Sequence, residues 1–146
     1  MEDRPIGMFD SGVGGLTVYK EIKEKLPYEK IIYLGDTKEF PYGSKSKQSI
    51  IDLSKKNIEY LLRFNVKAII IACGTATSQA LDEVKSMYDI PIIGIIEPTV
   101  NYIKENKKYK DIGIIATRGT IRSNTWEKEL KSKIQDIKIY NKECPL

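Results

Sequence analysis

Histidine is absent from this chain of 146 residues. That removes the Ser-His-Asp and Cys-His hydrolytic constellations and most zinc chemistry, which depend on imidazole. Cysteine is scarce: Cys73 and Cys144 give neither a disulfide framework nor a metal-like spacing. Tryptophan occurs once, at Trp126, and the nine tyrosines form no stacking array suited to nucleic acid. Long apolar runs are missing too, and the opening Met1-Glu2-Asp3-Arg4-Pro5 is not a signal peptide. The expectation is a cytoplasmic protein with reduced thiols and no membrane partner. The net charge of +4 is spread over Lys-rich helix faces and the run Lys104 to Lys110. It reads mostly as solvated surface, with a small allowance for an anionic small molecule or nucleic acid.

What is present is globular: 41% hydrophobic and 30% charged residues, in a length that suits one ordinary domain or one plus a fragment. The pattern is strand, loop, helix, repeated. Apolar strands are expected at Pro5 to Phe9, Lys30 to Leu34, Lys67 to Ala72, Pro91 to Ile96 and Asp111 to Ala116, with another beginning at Lys138 to Tyr140. Between them, Leu16, Tyr19, Ile22 and Leu26 recur at helical spacing, as do Ile50 to Asn65 and Ala80 to Tyr88. Further helices are expected from about Val100 to Asn106 and from Asn124 to Ile134, the latter with Glu127 completing a capping box. Near-continuous apolar strands alternating with helices predict an α/β fold, a parallel sheet flanked by helices on both faces. Glu97-Pro98 is the best candidate for a domain joint. The chain reaches Cys144-Pro145-Leu146 soon after a strand begins, which reads as an interrupted domain.

In such folds ligands sit beyond the carboxyl ends of the strands. There the sequence delivers Asp10-Ser11-Gly12-Val13-Gly14-Gly15, then Gly35-Asp36-Thr37 with Pro41-Tyr42-Gly43-Ser44, then Cys73-Gly74-Thr75-Ala76-Thr77, then Glu97, then Thr117 to Thr120. The glycine loop is neither a dinucleotide fingerprint nor a P-loop. It either makes a tight turn or brings backbone N–H groups to a carboxylate. Asp10 reads as a helix N-cap or as a group that holds an ammonium or orients a base. Tyr42 packs over a loop or faces ligand, Thr75 and Thr77 cap a helix, and Thr75 alternatively donates to a carboxylate. Cys73 ends a buried strand where a helix starts. Either it is one more small apolar residue, or the helix N-terminus lowers its pKa and makes it reactive.

Taken together, these clusters resemble the glutamate racemases of the aspartate/glutamate racemase superfamily. The matching segments are Phe9 to Thr17, Gly35-Asp36-Thr37, Pro41-Tyr42-Gly43, Ala72-Cys73 with Thr75-Ala76-Thr77, and Ile95-Ile96-Glu97-Pro98. Thr117, Thr120 and Ser123 resemble the family's later Thr-Ile-x-Ser segment. The resemblance implies two pseudo-symmetric α/β domains, here 1–97 and an incomplete 98–146, with a cofactor-free site between them. It implies interconversion of L- and D-glutamate by two cysteines, one on each face of the α-carbon, supplying D-glutamate for peptidoglycan. It gives catalytic roles to Cys73 and Asp10, and substrate contact to Asp10, Ser11, Pro41, Tyr42, Gly43, Gly74, Thr75 and Thr117.

The sequence departs from the family in two places. Gly74 stands where the family usually has asparagine, so a side-chain amide is missing. The family's second cysteine lies in a Gly-Cys-Thr-His motif that this chain does not contain, and Cys144 matches a different Cys-Pro segment. The expectation is a partial, inactive racemase chain that is prone to form homo-oligomers. The alternatives are a racemase of aspartate or a related amino acid, and a non-catalytic half-domain that binds a ligand or partner.

Overall fold

A computed structural model describes residues 3–106 and 109–144. The middle of the lysine run, the first two residues and Pro145-Leu146 lie outside the described residues. The first sheet is parallel, in the order β2-β1-β3-β4, built from β1 (Ile6–Asp10), β2 (Ile31–Gly35), β3 (Ala68–Ile71) and β4 (Ile92–Gly94). In the centre β1 pairs Met8 with Tyr33 on one side and with Ile70 on the other. Helices α1 (Leu16–Lys25), α2 (Lys47–Leu62) and α3 (Gly74–Lys85) connect these strands. Ile50, Ile58 and Leu61 of α2 and Ala76, Ala80 and Val84 of α3 pack with Phe9, Ile69 and Ile71 into one core. Each large aliphatic side chain removed from water there contributes roughly 1.5–3 kcal/mol. By contrast α1 buries no residue fully, so it covers its part of the sheet lightly.

A second, two-stranded parallel sheet pairs β5 (Asp111–Ala116) with β6 (Lys138–Glu143). Helices α4 (Ile96–Glu105), α5 (Arg118–Arg122) and α6 (Thr125–Lys133) accompany it. Ile96, Val100, Ile114, Leu130 and Ile137 form its own core. On the opposite face Ile115 is 75% and Tyr140 61% exposed. No helix among the described residues is long and apolar enough to cross a membrane.

Two expectations change. The fourth strand ends at Gly94, and Ile96, Glu97 and Pro98 form the first turn of α4. Proline is tolerated there because first-turn N–H groups have no intrahelical partner. Glu97 thus projects from a helix and pairs with Lys133 at 3.2 Å, away from the other strand-end clusters. The capping box does not form either. Asn124 precedes α6 with φ of 56° and makes no side-chain cap. Glu127 instead binds Lys131 and Asn141. The short helix α5, directly after Thr117, has no counterpart in the apolar periodicity.

Candidate active site

A cavity of about 530 Å³ opens between the carboxyl ends of the two sheets. That lies within the ordinary range for a small-molecule site. Its first wall is Asp10 at the end of β1, Ser11 and Gly14 after it, and Cys73, Gly74 and Thr75 after β3. Thr117 and Thr120 form the second wall. Pro41, Tyr42 and Gly43 do not line it, although Phe40 before them does. Val13, Ile115 and Trp126 add apolar surface that sequence reasoning missed. For Val13 and Ile115 the available signal was an apolar residue at a strand end, and Trp126, on α6, carried none.

Cys73 is the N-cap of α3, and its sulfur accepts the Ala76 N–H at 3.4 Å. The thiol donates to Ser11 Oγ at 3.5 Å, so the first and third strand ends meet at this atom. Burial pushes the Cys73 thiol above its ordinary pKa. The bonds to Ser11 and Ala76 pull it down without cancelling that effect, and the charge of Asp10 pushes it further up. This corrects the expectation of a lowered pKa: removal from water outweighs the helix N-terminus.

Asp10 is buried and is not a helix cap. Its Oδ2 accepts the Gly12 N–H at 3.0 Å and fixes the glycine turn, while α1 starts at Leu16 after Gly15, which offers no side-chain cap. Glycine is required at 15, where a Cβ would stand 2.8 Å from that of Asp10 and 2.9 Å from that of Ala72. Tyr33 braces the same turn by donating to Gly12 O at 3.0 Å. Its phenol is pushed up to about 12 by burial and by the nearby charges of Asp10 and Cys73.

Three threonine hydroxyls close a ring across the cleft. Thr75 and Thr117 lie 2.9 Å apart, Thr117 and Thr120 3.0 Å, and Thr120 donates to Thr75 at 3.3 Å. Thr117 also caps α5. Thr77 neither caps α3 nor faces the cavity; it donates to Ile71 O at 3.1 Å and accepts from Ile95 N at 3.4 Å. Tyr42 is buried, donates to Asp36 Oδ2 at 2.6 Å and accepts from Asn57 Nδ2 at 2.9 Å. Its phenol is pushed well above the ordinary range by burial and by the bond to Asp36.

None of the lining side chains is basic. A ligand carboxylate would therefore be met by hydroxyls and by the N–H groups at the start of α3. An ammonium would be met by Asp10. The arrangement places a proton-carrying thiol beside donors for a carboxylate and an acceptor for an ammonium. Cys144 is exposed and does not line the cavity. Among the described residues no group of His, Cys, Asp and Glu has metal-site geometry.

The family described as "Asp/Glu/Hydantoin racemase" matches residues 6–144. A protein named glutamate racemase from Sulfurihydrogenibium sp. (strain YO3AOP1) is 49% identical over 143 residues, covering 97% of this chain and 55% of its own length. The crystal structure of a glutamate racemase isoform from Bacillus anthracis superposes with a TM-score of 0.94 at 39% identity, over 99% of this chain and 55% of that one. Glutamate racemase from Francisella tularensis, solved in complex with D-glutamate, gives a TM-score of 0.90 at 39% identity, over 100% and 55%. The chain thus spans about half the length of the relatives it matches.

Proposed function

The chain belongs to the Asp/Glu/Hydantoin racemase family, and from that premise we propose that it carries the Cys73 side of a cofactor-independent glutamate racemase site. The observation that carries the reading is the placement of Cys73. Its thiol faces a cavity between two sheets, bonded to Ser11, with the Asp10 carboxylate beside it.

The α-proton of an amino acid is a very weak acid. Without an electron sink, removing it needs a positioned base, donors on the carboxylate and a site that excludes water. In this reading Cys73 as thiolate takes the α-proton of one enantiomer and as thiol returns a proton to the same face. Asp10 holds the ammonium group of the substrate. Ser11, Gly74, Thr75 and Thr117 hold its carboxylates. Pro41, Tyr42 and Gly43 act from behind the cavity wall. A second acid/base must serve the opposite face, and among the described residues no second thiol lines the cavity. The domain division at 1–97 and 98–146 falls inside the first turn of α4. Supply of D-glutamate for peptidoglycan, in the cytoplasm, is the biological role that family membership supports.

The test is protection of a mapped thiol. The purified chain is treated with iodoacetamide and the labelling of Cys73 and Cys144 is followed separately by peptide mass spectrometry. Glutamate is expected to slow labelling of Cys73 and to leave Cys144 unchanged. In D₂O, any exchange of the glutamate α-proton should disappear in Cys73→Ser. Labelling of Cys73 that ignores both enantiomers of glutamate would overturn the reading. Inversion of glutamate by this chain alone would overturn the assignment of the second acid/base to another group. A related amino acid is the second reading, favoured by the open space at Gly74, where a Cβ would meet only Ile95 Cδ1 at 4.0 Å. Competition between aspartate and glutamate for protection separates the two.

A further inference from the structure

Asn57 lies on α2, buried to 4% exposure, outside the cavity lining. A buried amide is retained where its hydrogen bonds are made. Here it donates to the Tyr42 hydroxyl at 2.9 Å. A phenol has one proton, and with Asn57 on the oxygen that proton points to Asp36 Oδ2, at 2.6 Å. The backbone N–H of Asp36 in turn donates to Asp10 O at 2.9 Å. Tyr42 is thereby held from two elements, α2 and the segment after β2.

The next residue, Gly43, packs against the other side of the cleft. A Cβ there would fall 2.7 Å from both Cβ and Cγ2 of Thr117, so backbone and threonine are in direct contact. Thr117 bonds Thr75 and Thr120 in the hydroxyl ring and also accepts the Thr120 N–H at 3.4 Å. A displacement of Tyr42 is passed through one peptide unit to this contact.

We propose that Asn57 is a positioning residue for the cleft: through the Tyr42 hydroxyl it fixes Gly43 against Thr117, and so holds the threonine ring in the geometry that receives a ligand carboxylate. Asn57 touches neither ligand nor reacting atoms in this role. The ligand part of the proposal rests on the racemase reading above; the geometric part does not.

The experiment uses Asn57→Leu and the double variant Asn57→Leu/Tyr42→Phe. Loss of the amide alone leaves a buried hydroxyl short of a partner and lowers the urea midpoint. Loss of both groups removes the mismatch at the hydroxyl and leaves the Asp36 carboxylate, which is only partly buried, to water, so the double variant is expected to regain part of that midpoint. Two readouts separate positioning from stability. Backbone hydrogen exchange of the segment Thr117 to Arg122, which Asn57 does not touch, is expected to speed up about tenfold in both variants, the scale of one lost hydrogen bond. The glutamate concentration that half-protects Cys73 is expected to rise about tenfold in both, by the same measure.

Exchange of Thr117 to Arg122 that matches the parent in the double variant, or that recovers in step with its urea midpoint, would overturn the proposal. If Asn57→Leu does not fold, the double variant alone decides. If the unmutated chain shows no glutamate protection, the racemase reading fails and the exchange result still decides for Asn57.

Discussion

At Cys73 two effects of opposite sign meet. The sequence shows a thiol where a buried strand passes into a helix, and from that alone a lowered pKa is expected. The structure keeps the location and reverses the direction, because burial is the largest influence and the Asp10 charge adds to it. Strand ends are legible in an apolar run. The depth of a cleft is not, because residues far along the chain, such as Thr117 and Trp126, decide it. The opposed influences make a paired prediction. Ser11→Ala removes a hydroxyl that accepts from the thiol and turns to donate to the thiolate once it forms, and is expected to move the pH midpoint of Cys73 alkylation upward. Asp10→Asn removes a repelling charge while keeping an acceptor for the Gly12 N–H, and is expected to move it downward. Stopped-flow alkylation with peptide mapping reads both. Shifts in the same direction would show that Cys73 does not feel these two groups separately.

Among the elements, the boundary between β4 and α4 was hardest to read. Pro91 to Ile96 is one apolar run, and periodicity cannot distinguish a short buried strand from the first turn of a helix. Packing settles it: Ile92 joins the first core and Ile96 the second. Gly94 lies between them because a Cβ would collide with Thr77 and come within 2.8 Å of Leu81 Cδ2. Gly94→Ala is therefore expected to destabilise by about 1–3 kcal/mol, as over-packing of a core does. Gly74 is the reverse case. It has open space at the first position of α3, so Gly74→Ala is expected to stabilise by at most about 0.5 kcal/mol, the low end of the helix-interior figure. Urea denaturation of the two variants checks this. Equal effects would mean that neighbour distances at these glycines do not govern stability. Helix α5 escaped the sequence reading for a related reason. It buries only Thr120, so it has no apolar stripe, and it is placed by the cap at Thr117 and by Gln79, which donates to Gly119 O at 2.5 Å.

Across the whole molecule, the two sheets are joined through α3. Its Thr75 enters the hydroxyl ring, its Gln79 reaches Gly119, and Ser78 O accepts from Thr125 Oγ1 at 2.9 Å. The parallel α/β architecture was legible from six apolar segments, but this clasp was not, since threonine and glutamine carry no periodic signal. Around the clasp stand Cys73, Tyr33 and Tyr42, all held above their ordinary pKa values, chiefly by burial. The sign follows from linkage. A raised folded-state pKa means that the folded chain keeps a proton which the unfolded chain gives up more readily. The stabilisation is fully present below the unfolded values, about 8.5 for thiol and 10 for phenol. It is lost as pH rises from there toward the folded values, about 12 for Tyr33. The urea midpoint is therefore expected to fall from about pH 8 up to about pH 12, as the unfolded thiol and then the unfolded phenols ionise first. Tyr42→Phe separates this group from the others. At pH 8 it is expected to destabilise by about 1–3 kcal/mol, because the Asn57 amide loses its buried acceptor. It should also show a shallower alkaline fall than the parent, because one of the raised groups, which include Tyr88 as well, is gone. A midpoint that stays flat over this pH interval, or an alkaline fall equally steep in Tyr42→Phe, would show that the buried phenol does not couple ionisation to folding.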